Sequence, residues 1–143
     1  GQEFYVEDED KLYVFDGTSY LQIAQKQQVR YRQVMTALLP GATYNRTVLF
    51  TDTAMTIKKT CFVLKGGTSP SVTWNLKHDS SRAGTGTNVF SADQVDTDTT
   101  TGAIDTTFSS AAIAANKFLW FDASTITGAP AEMMLTVFYT DDD

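Results

Sequence analysis

From Ala42 onwards the chain is a series of short runs of strand-forming residues, separated by clusters of turn-forming residues. The clusters, among them "KGGTSP", "DTDTTTG" and "STITGAP", are rich in Gly, Pro, Ser, Thr and Asp, which favour turns and end regular structure. Short strand-forming runs separated by turn-forming clusters are typical of antiparallel sheets. Eight runs are predicted as strands: Thr47–Phe50, Met55–Lys59, Cys61–Leu64, Val72–Lys77, Thr87–Phe90, Ile104–Phe108, Lys117–Phe121 and Met133–Tyr139.

The order of residues within these runs indicates which faces are buried. In "SVTWNLK", Val72, Trp74 and Leu76 alternate with polar residues, as in a strand that has one face in the core and one in water. This pattern places Trp74 in the core. The runs "KFLWF" and "MMLTVFY" are apolar on both faces. They are predicted to be central strands covered on both sides, or strands that face another subunit.

Composition supports the same fold class. Threonine is the commonest residue and aromatic residues make up 12% of the chain, and both types suit a pleated, half-buried surface. A hydrophobic fraction of 42% in 143 residues is enough for the core of one domain. The sequence therefore predicts an all-β fold, an antiparallel two-sheet β-sandwich of the jelly-roll type, over residues 42–143.

The first 24 residues are predicted to form a separate β-meander. Three short apolar runs are separated by "EDEDK" and by "DGTS", and Asp-Gly is a strong hairpin signal. A meander this small cannot build a core of its own, so it needs another surface to pack on. We interpret it as an anchoring arm that binds a larger partner or a neighbouring subunit through five aromatic residues. These are Phe4, Tyr5, Tyr13, Phe15 and Tyr20. The alternative is that the meander folds back onto its own sandwich.

Residues 25–41 are predicted to be a short helix or a linker. Tyr31, Val34, Met35, Leu38 and Leu39 recur at helical spacing, and the Pro-Gly pair that follows would end a helix. The same segment contains "QVRYRQV", which also alternates, and that pattern favours an extended linker.

Charge and composition exclude several classes of function. A net charge of −6 and a pI near 4.6 argue against nucleic-acid binding, which needs clustered Lys and Arg. No apolar run approaches the roughly 18 to 20 residues that cross a membrane. The single cysteine, Cys61, excludes an intrachain disulfide. We expect no cofactor.

The segment "KHDSSRAG" holds the only histidine and contains residue types that hydrolases use. His78 and Asp79 are adjacent on an extended run, so they point to opposite faces and cannot form the orienting pair of a catalytic triad. No second histidine and no G-x-S-x-G motif is present. We interpret this segment as a strand that ends in a polar loop, and we expect no catalytic residue.

Metal and phosphate sites receive little support. One His and one Cys in different runs do not make a zinc site. Asp93, Asp96 and Asp98 in "DQVDTDTTTG" lack the order of an EF-hand loop, which leaves a solvated loop as the main interpretation and a loose calcium site as the alternative. The Gly-rich stretches do not follow the P-loop pattern.

The region from Asn45 to Tyr139 resembles a module of tailed-bacteriophage virion proteins. The resemblance rests on "GGTSPSVTW", on "AAIAANKFLW" and on "TITGAPAEMMLTVFY". Ala114 stands where that module usually has Pro. The meander "KLYVFDGTSYLQI" is similar to hairpins of phage head and tail accessory proteins, with Tyr20 where Trp is frequent.

This resemblance implies a non-enzymatic virion protein with a trimeric β-sandwich. Such modules occur on capsid decoration (cement) proteins, head fibres and tail-fibre tips. The short chain favours a decoration or head-fibre protein on the capsid exterior, with the major capsid protein or another virion protein as partner. The alternative is a receptor- or carbohydrate-binding module at the tip of a tail fibre.

A homotrimer is also predicted from the two runs that are apolar on both faces. A lone sandwich would leave part of this apolar surface in water, and exposed apolar patches mark interfaces. Four residues are assigned to the trimer interface: Phe118, Trp120, Met134 and Phe138.

Overall fold

A computed structural model describes residues 3–6, 11–15, 18–25, 29–37 and 42–142, with side chains for residues 18, 19 and 42–142. Within these ranges the chain forms thirteen β-strands in three antiparallel sheets, and no helix. The all-β prediction is therefore confirmed. Among the described residues none belongs to a helix long and apolar enough to span a membrane.

The first sheet is the predicted meander. Strands β1 (Glu3–Val6), β2 (Lys11–Phe15) and β3 (Tyr20–Gln25) pair in sequence order. The five aromatic residues predicted to bind a partner lie on these strands, but their side chains lie outside the described part of the structure.

The remaining ten strands form two sheets. Sheet I has the order β10-β6-β13-β4, with β11 also paired to β6, and sheet II has the order β5-β12-β7-β8, with β9 also paired to β7. The strands of sheet I are β4 (Val29–Ala37), β6 (Met55–Lys65), β10 (Ala103–Asp105), β11 (Ala112–Ile113) and β13 (Glu132–Asp141). The strands of sheet II are β5 (Tyr44–Thr51), β7 (Ser71–Asp79), β8 (Thr87–Asn88), β9 (Gln94–Asp96) and β12 (Lys117–Thr127).

The pairing of these strands is nested, which confirms the jelly-roll prediction. Strand β4 pairs with β13, β5 with β12, β6 with β10 and β11, and β7 with β8 and β9. The first strand thus lies beside the last, the second beside the penultimate, and so on inwards. A long antiparallel ribbon folded over on itself gives this pattern, and its successive strands fall in two packed sheets.

The structure corrects the prediction for residues 25–41. Val29–Ala37 is not a helix but an edge strand of sheet I, hydrogen-bonded to β13 from Ala37 opposite Met133 to Val29 opposite Thr140. The sandwich therefore begins at Val29, before the predicted boundary at residue 42. The alternation in "QVRYRQV" was the correct signal, because β13 offers this segment a full-length partner, and such tertiary pairing overrides a local helical pattern.

An aromatic stack forms the centre of the core. Phe62 from sheet I lies with its ring centroid 5.1 Å from Trp74 and 6.0 Å from Phe121, both from sheet II. Phe90 meets Trp74 edge to face at 5.4 Å. All four side chains are at most 2% exposed, so the alternation in "SVTWNLK" correctly placed Trp74 inside. The runs "KFLWF" and "MMLTVFY" lie in central strands, as predicted.

Candidate functional site

The histidine segment is the end of β7 and the loop that follows it. His78 is opposite Leu119 in the sheet register. Its Nε2 lies 3.0 Å from the hydroxyl of Ser110, a residue that sequence reasoning had not linked to it. Burial lowers the pKa of His78, the charge of Lys117 lowers it further, and Asp79 raises it by less.

Asp79 does not orient His78. Its Oδ1 accepts hydrogen bonds from the backbone N–H of Ser80, at 2.6 Å, and from the Ser80 hydroxyl, at 3.2 Å. The backbone hydrogen bond from Ser80 is the largest cause of the lowered pKa of Asp79. The carboxylate therefore starts the loop, as an Asx-type turn does. Among the residues with described side chains, no carboxylate is hydrogen-bonded to His78 to complete a triad with Ser110.

The loop after Asp79 folds over the outer face of sheet II and covers Trp120. The guanidinium of Arg82 lies over the indole of Trp120, 4.6 Å from its centroid. The same guanidinium donates to the hydroxyl of Thr47 at 2.8 Å and to the side-chain oxygen of Asn45. A Cβ at Gly86, where φ is +72°, would overlap the Trp120 ring, so the loop needs glycine there.

A polar network continues from this loop across the outer face of sheet II. Asp122 accepts from Asn45 at 2.9 Å and pairs with Lys77 at 2.5 Å. Burial raises the pKa of Asp122, but the hydrogen bonds from Lys77 and Asn45 and the charges of Lys77 and Arg82 together lower it by more. The donors and acceptors of this network satisfy one another, so it holds the loop in place.

The four residues predicted at a trimer interface do not form one patch. Phe118 and Trp120 lie on the outer face of sheet II, whereas Met134 and Phe138 lie on the outer face of sheet I. They are divided because consecutive strands of a jelly roll belong to different sheets. Trp120, which was predicted at the interface, is only 2% exposed within a single chain, so it has little surface left to contact another copy. Phe138 lies under the Lys59 ammonium, 4.1 Å from its ring centroid.

Three large apolar side chains with described positions are exposed. Phe50 is 48% exposed and meets Phe118 edge to face, with ring centroids 5.0 Å apart. Val95 is 64% exposed on β9, and Ile104 is 60% exposed on β10. Exposed groups of this size are candidates for contact with another molecule.

The glycine signature "GGTSP" builds one end of the sandwich. The N–H of Thr68 donates to the carbonyl of Gly128 at 2.9 Å, and the N–H of Ala131 donates to the carbonyl of Lys65 at 2.8 Å. A Cβ at Gly67, where φ is +80°, would overlap the Gly128 carbonyl oxygen. The "GGTSP" and "TGAPA" loops thus pack backbone against backbone, which makes both signatures structural.

An open groove of about 670 Å³ lies beside this loop pair. Its lining is neutral and hydroxyl-rich: Gly66, Gly67, Ser69, Pro70, Thr97 and Thr99. Asp98 lies between the two threonines in sequence, and its Oδ1 accepts from the backbone N–H groups of Thr100, Thr101 and Gly102. The hydrogen bond from Thr100 is the largest cause of the lowered pKa of Asp98.

The three aspartates weighed as a calcium loop have separate roles. Asp93 accepts from Asn75 at 3.0 Å, Asp96 accepts from the indole N–H of Trp74 at 2.6 Å, and Asp98 holds the turn after it. Asp96 is 7% exposed. Burial raises its pKa, the Trp74 hydrogen bond lowers it, and the charges of Asp105 and Asp98 raise it, for a net increase. Among residues with described side chains, no three His, Cys, Asp or Glu are grouped to hold a metal ion.

Comparisons with known proteins give structural matches only. No protein-family model and no curated protein sequence matches the chain. Two similar solved chains come from structures of infectious bursal disease virus, of the Gx strain (TM-score 0.38, 12% identity) and the Gt strain (TM-score 0.36, 13% identity). The matches cover 90% of this chain but only 36% and 37% of the viral chains. Similarity at this level does not bear on activity or partners.

Proposed function

We propose that the chain is a non-enzymatic structural protein of a tailed-phage virion, a capsid decoration (cement) or head-fibre protein that binds the outer shell as a homotrimer. The observation that carries the proposal is the role of the residues on which the phage resemblance rests. In "GGTSPSVTW" the glycine loop shapes one end of the sandwich and Trp74 fills its core. The described roles of these signature residues are in shaping the fold, which supports a structural role.

The polar groups with described contacts support a structural role. The Asp79 carboxylate begins a loop, Arg82 covers Trp120, and Asp122 joins Lys77 to Asn45. Each group holds another part of the same chain. In this proposal the N-terminal meander, with its five aromatic residues, is the element that contacts the shell, since aromatic anchors dominate interface energies.

The direct test is to locate the protein on particles. Virions that lack the protein would be incubated with gold-labelled, purified full-length chain, and bound label would be counted by electron microscopy. The proposal requires many copies on the head, bound to saturation. Binding at the tail alone, or to neither part, would refute the decoration role.

One observation favours the alternative, a receptor-binding module at a tail-fibre tip. The groove of about 670 Å³ beside the "GGTSP" loop is open and lined by hydroxyl and backbone groups, which suit a neutral glycan. In the labelling experiment this alternative requires few copies, at the tail. It also requires that Thr97→Val, which removes a lining hydroxyl, weakens attachment to host cells.

A further inference from the structure

The two long sides of the sandwich differ in their edge strands. Sheet I ends in β4 and sheet II ends in β5, and these two strands follow each other in the chain. The opposite ends of the two sheets are the short strands β8 to β11, and a hydrogen bond from the Leu64 N–H to the Asp98 carbonyl, 2.8 Å long, links them there. We call the first the β4–β5 side and the second the β8–β11 side.

These sides carry opposite charge. Residues 29–51, which include β4 and β5, contain no Asp or Glu and three basic residues: Arg30, Arg32 and Arg46. Residues 83–116, which include β8 to β11, contain no Lys or Arg. Three of their four aspartates, Asp93, Asp98 and Asp105, are exposed or half-buried, while Asp96 is buried against Trp74. The chain as a whole is acidic, so the basic side is a local exception. Opposite potentials on two sides of one molecule favour contact between copies.

Arg46 is the basic group whose side chain is described. It is exposed, and its guanidinium donates to the Tyr44 hydroxyl at 3.2 Å. The two ion pairs among the described side chains join Lys65 to Glu132 and Lys77 to Asp122, so they leave Arg46 free to meet a carboxylate from outside.

The exposed apolar side chains are divided in the same way. Phe50 lies on β5, at the basic side, while Val95 and Ile104 lie on β9 and β10, at the acidic side. Each side therefore combines charge of one sign with exposed apolar surface. A contact between the two sides would cover both apolar groups and pair the charges.

We propose that copies of the chain associate head to tail, with the β4–β5 side of one copy against the β8–β11 side of the next. An interface of this heterologous kind uses two different surfaces of each copy, and it closes into a ring when the rotation between copies divides a full turn. In a ring of three copies, each rotated by about 120° from the next, both interface surfaces of every copy are paired. The inference rests on the homotrimer of the proposed function and names the surfaces that form it.

The test is a charge exchange, read as molar mass against concentration by analytical ultracentrifugation. Arg46→Glu places a negative charge on the basic side, and Val95→Lys places a positive charge on the acidic side. We expect each variant alone to weaken self-association about tenfold or more, because each sets like charges against each other. The double variant Arg46→Glu/Val95→Lys should recover most of the loss, because its exchanged charges again meet as opposites.

Two controls carry the same changes elsewhere. Lys58→Glu, at an exposed position of β6, and Thr127→Lys, at an exposed position of β12, should leave association within about twofold of the wild type. Raising the salt concentration should weaken the wild-type assembly, because ions screen exposed charges.

The outcomes separate this inference from the proposed function. A wild-type trimer that neither Arg46→Glu nor Val95→Lys weakens would overturn the head-to-tail interface and leave the decoration role standing. Loss in Arg46→Glu but not in Val95→Lys would show that the β4–β5 side meets a surface other than the β8–β11 side, which also contradicts the inference. A wild-type chain that stays monomeric at every concentration would remove the homotrimer from both.

Discussion

The two tryptophans are both almost fully buried, but different kinds of structure bury them. Trp74 lies between the two sheets, stacked on Phe62 and Phe121, with its indole N–H bonded to Asp96. Trp120 points away from the core, and a loop led by Arg82 covers it. Trp74 is buried by the packing of the two sheets of the jelly roll. Trp120 is buried by a loop that covers the outer face of one sheet. A buried aromatic residue therefore does not by itself identify a core strand face.

The largest expected difference between the two sites is in stability. Trp74→Ala should lower the free energy of unfolding by about 3–5 kcal/mol, because the rigid stack around it cannot close the cavity. Trp120→Ala should cost about 2 kcal/mol, because the loop can settle onto the sheet and fill part of the space. Urea denaturation followed by far-UV circular dichroism measures both. Equal losses would mean that the loop is as rigid as the core.

The sequence predicted the first site and missed the second for a physical reason. Alternation along "SVTWNLK" reports the two faces of one strand, and the core face of that strand is fixed by its own pattern. The cover over Trp120 comes from residues that are distant in sequence: Arg82 follows β7, while Trp120 lies on β12. The pattern within "KFLWF" alone cannot predict such a contact.

The same reasoning applies to β4 and to the histidine. The helical spacing in residues 31–39 is real, but the pairing of β4 with β13, more than 90 residues away, decides its structure. Strand geometry predicted that His78 and Asp79 point to opposite faces, and Asp79 is bonded to Ser80, whereas the contact of His78 with Ser110 depends on the path of a later loop. Patterns that repeat along one strand were predictable, whereas pairings that the fold creates were not.

The next prediction removes the cover of the outer tryptophan. In a Trp74→Phe background, Trp120 is the sole tryptophan, so fluorescence reports its exposure alone. Arg82→Ala should increase acrylamide quenching and lower stability by about 1–2 kcal/mol, since it removes a cation–π contact and hydrogen bonds to Thr47 and Asn45.

Lys58→Ala in the same background is the control, because it removes an exposed cation from the other sheet. It should change neither quenching nor stability. Unchanged quenching in Arg82→Ala would show that the backbone of the loop covers Trp120 without the guanidinium.

A smaller effect concerns the polar atom of the inner tryptophan. The folded chain raises the pKa of Asp96, mainly through burial, so the folded state binds this proton more tightly than the unfolded state does. The contribution of Asp96 to stability should therefore increase as the pH falls from the raised pKa towards the ordinary value for Asp. Asp96→Asn keeps an acceptor for Trp74 but cannot titrate.

The difference in unfolding free energy between Asp96→Asn and the wild type measures this contribution. The stability of the wild type relative to the variant should rise as the pH falls from neutral through the raised pKa of Asp96 towards the ordinary value for Asp. Asp52→Asn, at an exposed carboxylate, is the matched control for the change of net charge. A difference that stays constant over this range would show that Asp96 keeps its charge in the folded state.

The smallest expected effect tests how completely the core satisfies its polar groups. Trp74 has a partner for its N–H, but Thr60, on β6 in the same core region and 0% exposed, has a hydroxyl without a hydrogen-bond partner among the described residues. Burial of an unpaired hydroxyl is unfavourable, so Thr60→Val, which keeps the shape, should raise stability by about 0.5–1 kcal/mol. Thr56→Val on the same strand is the matched control. The Thr56 hydroxyl donates to Asp142 at 2.5 Å, so its replacement by Val should lower stability by about 1 kcal/mol. If both variants are destabilised equally, the Thr60 hydroxyl has a partner, such as a buried water molecule, and the inner region is as fully hydrogen-bonded as the network that holds the loop over Trp120.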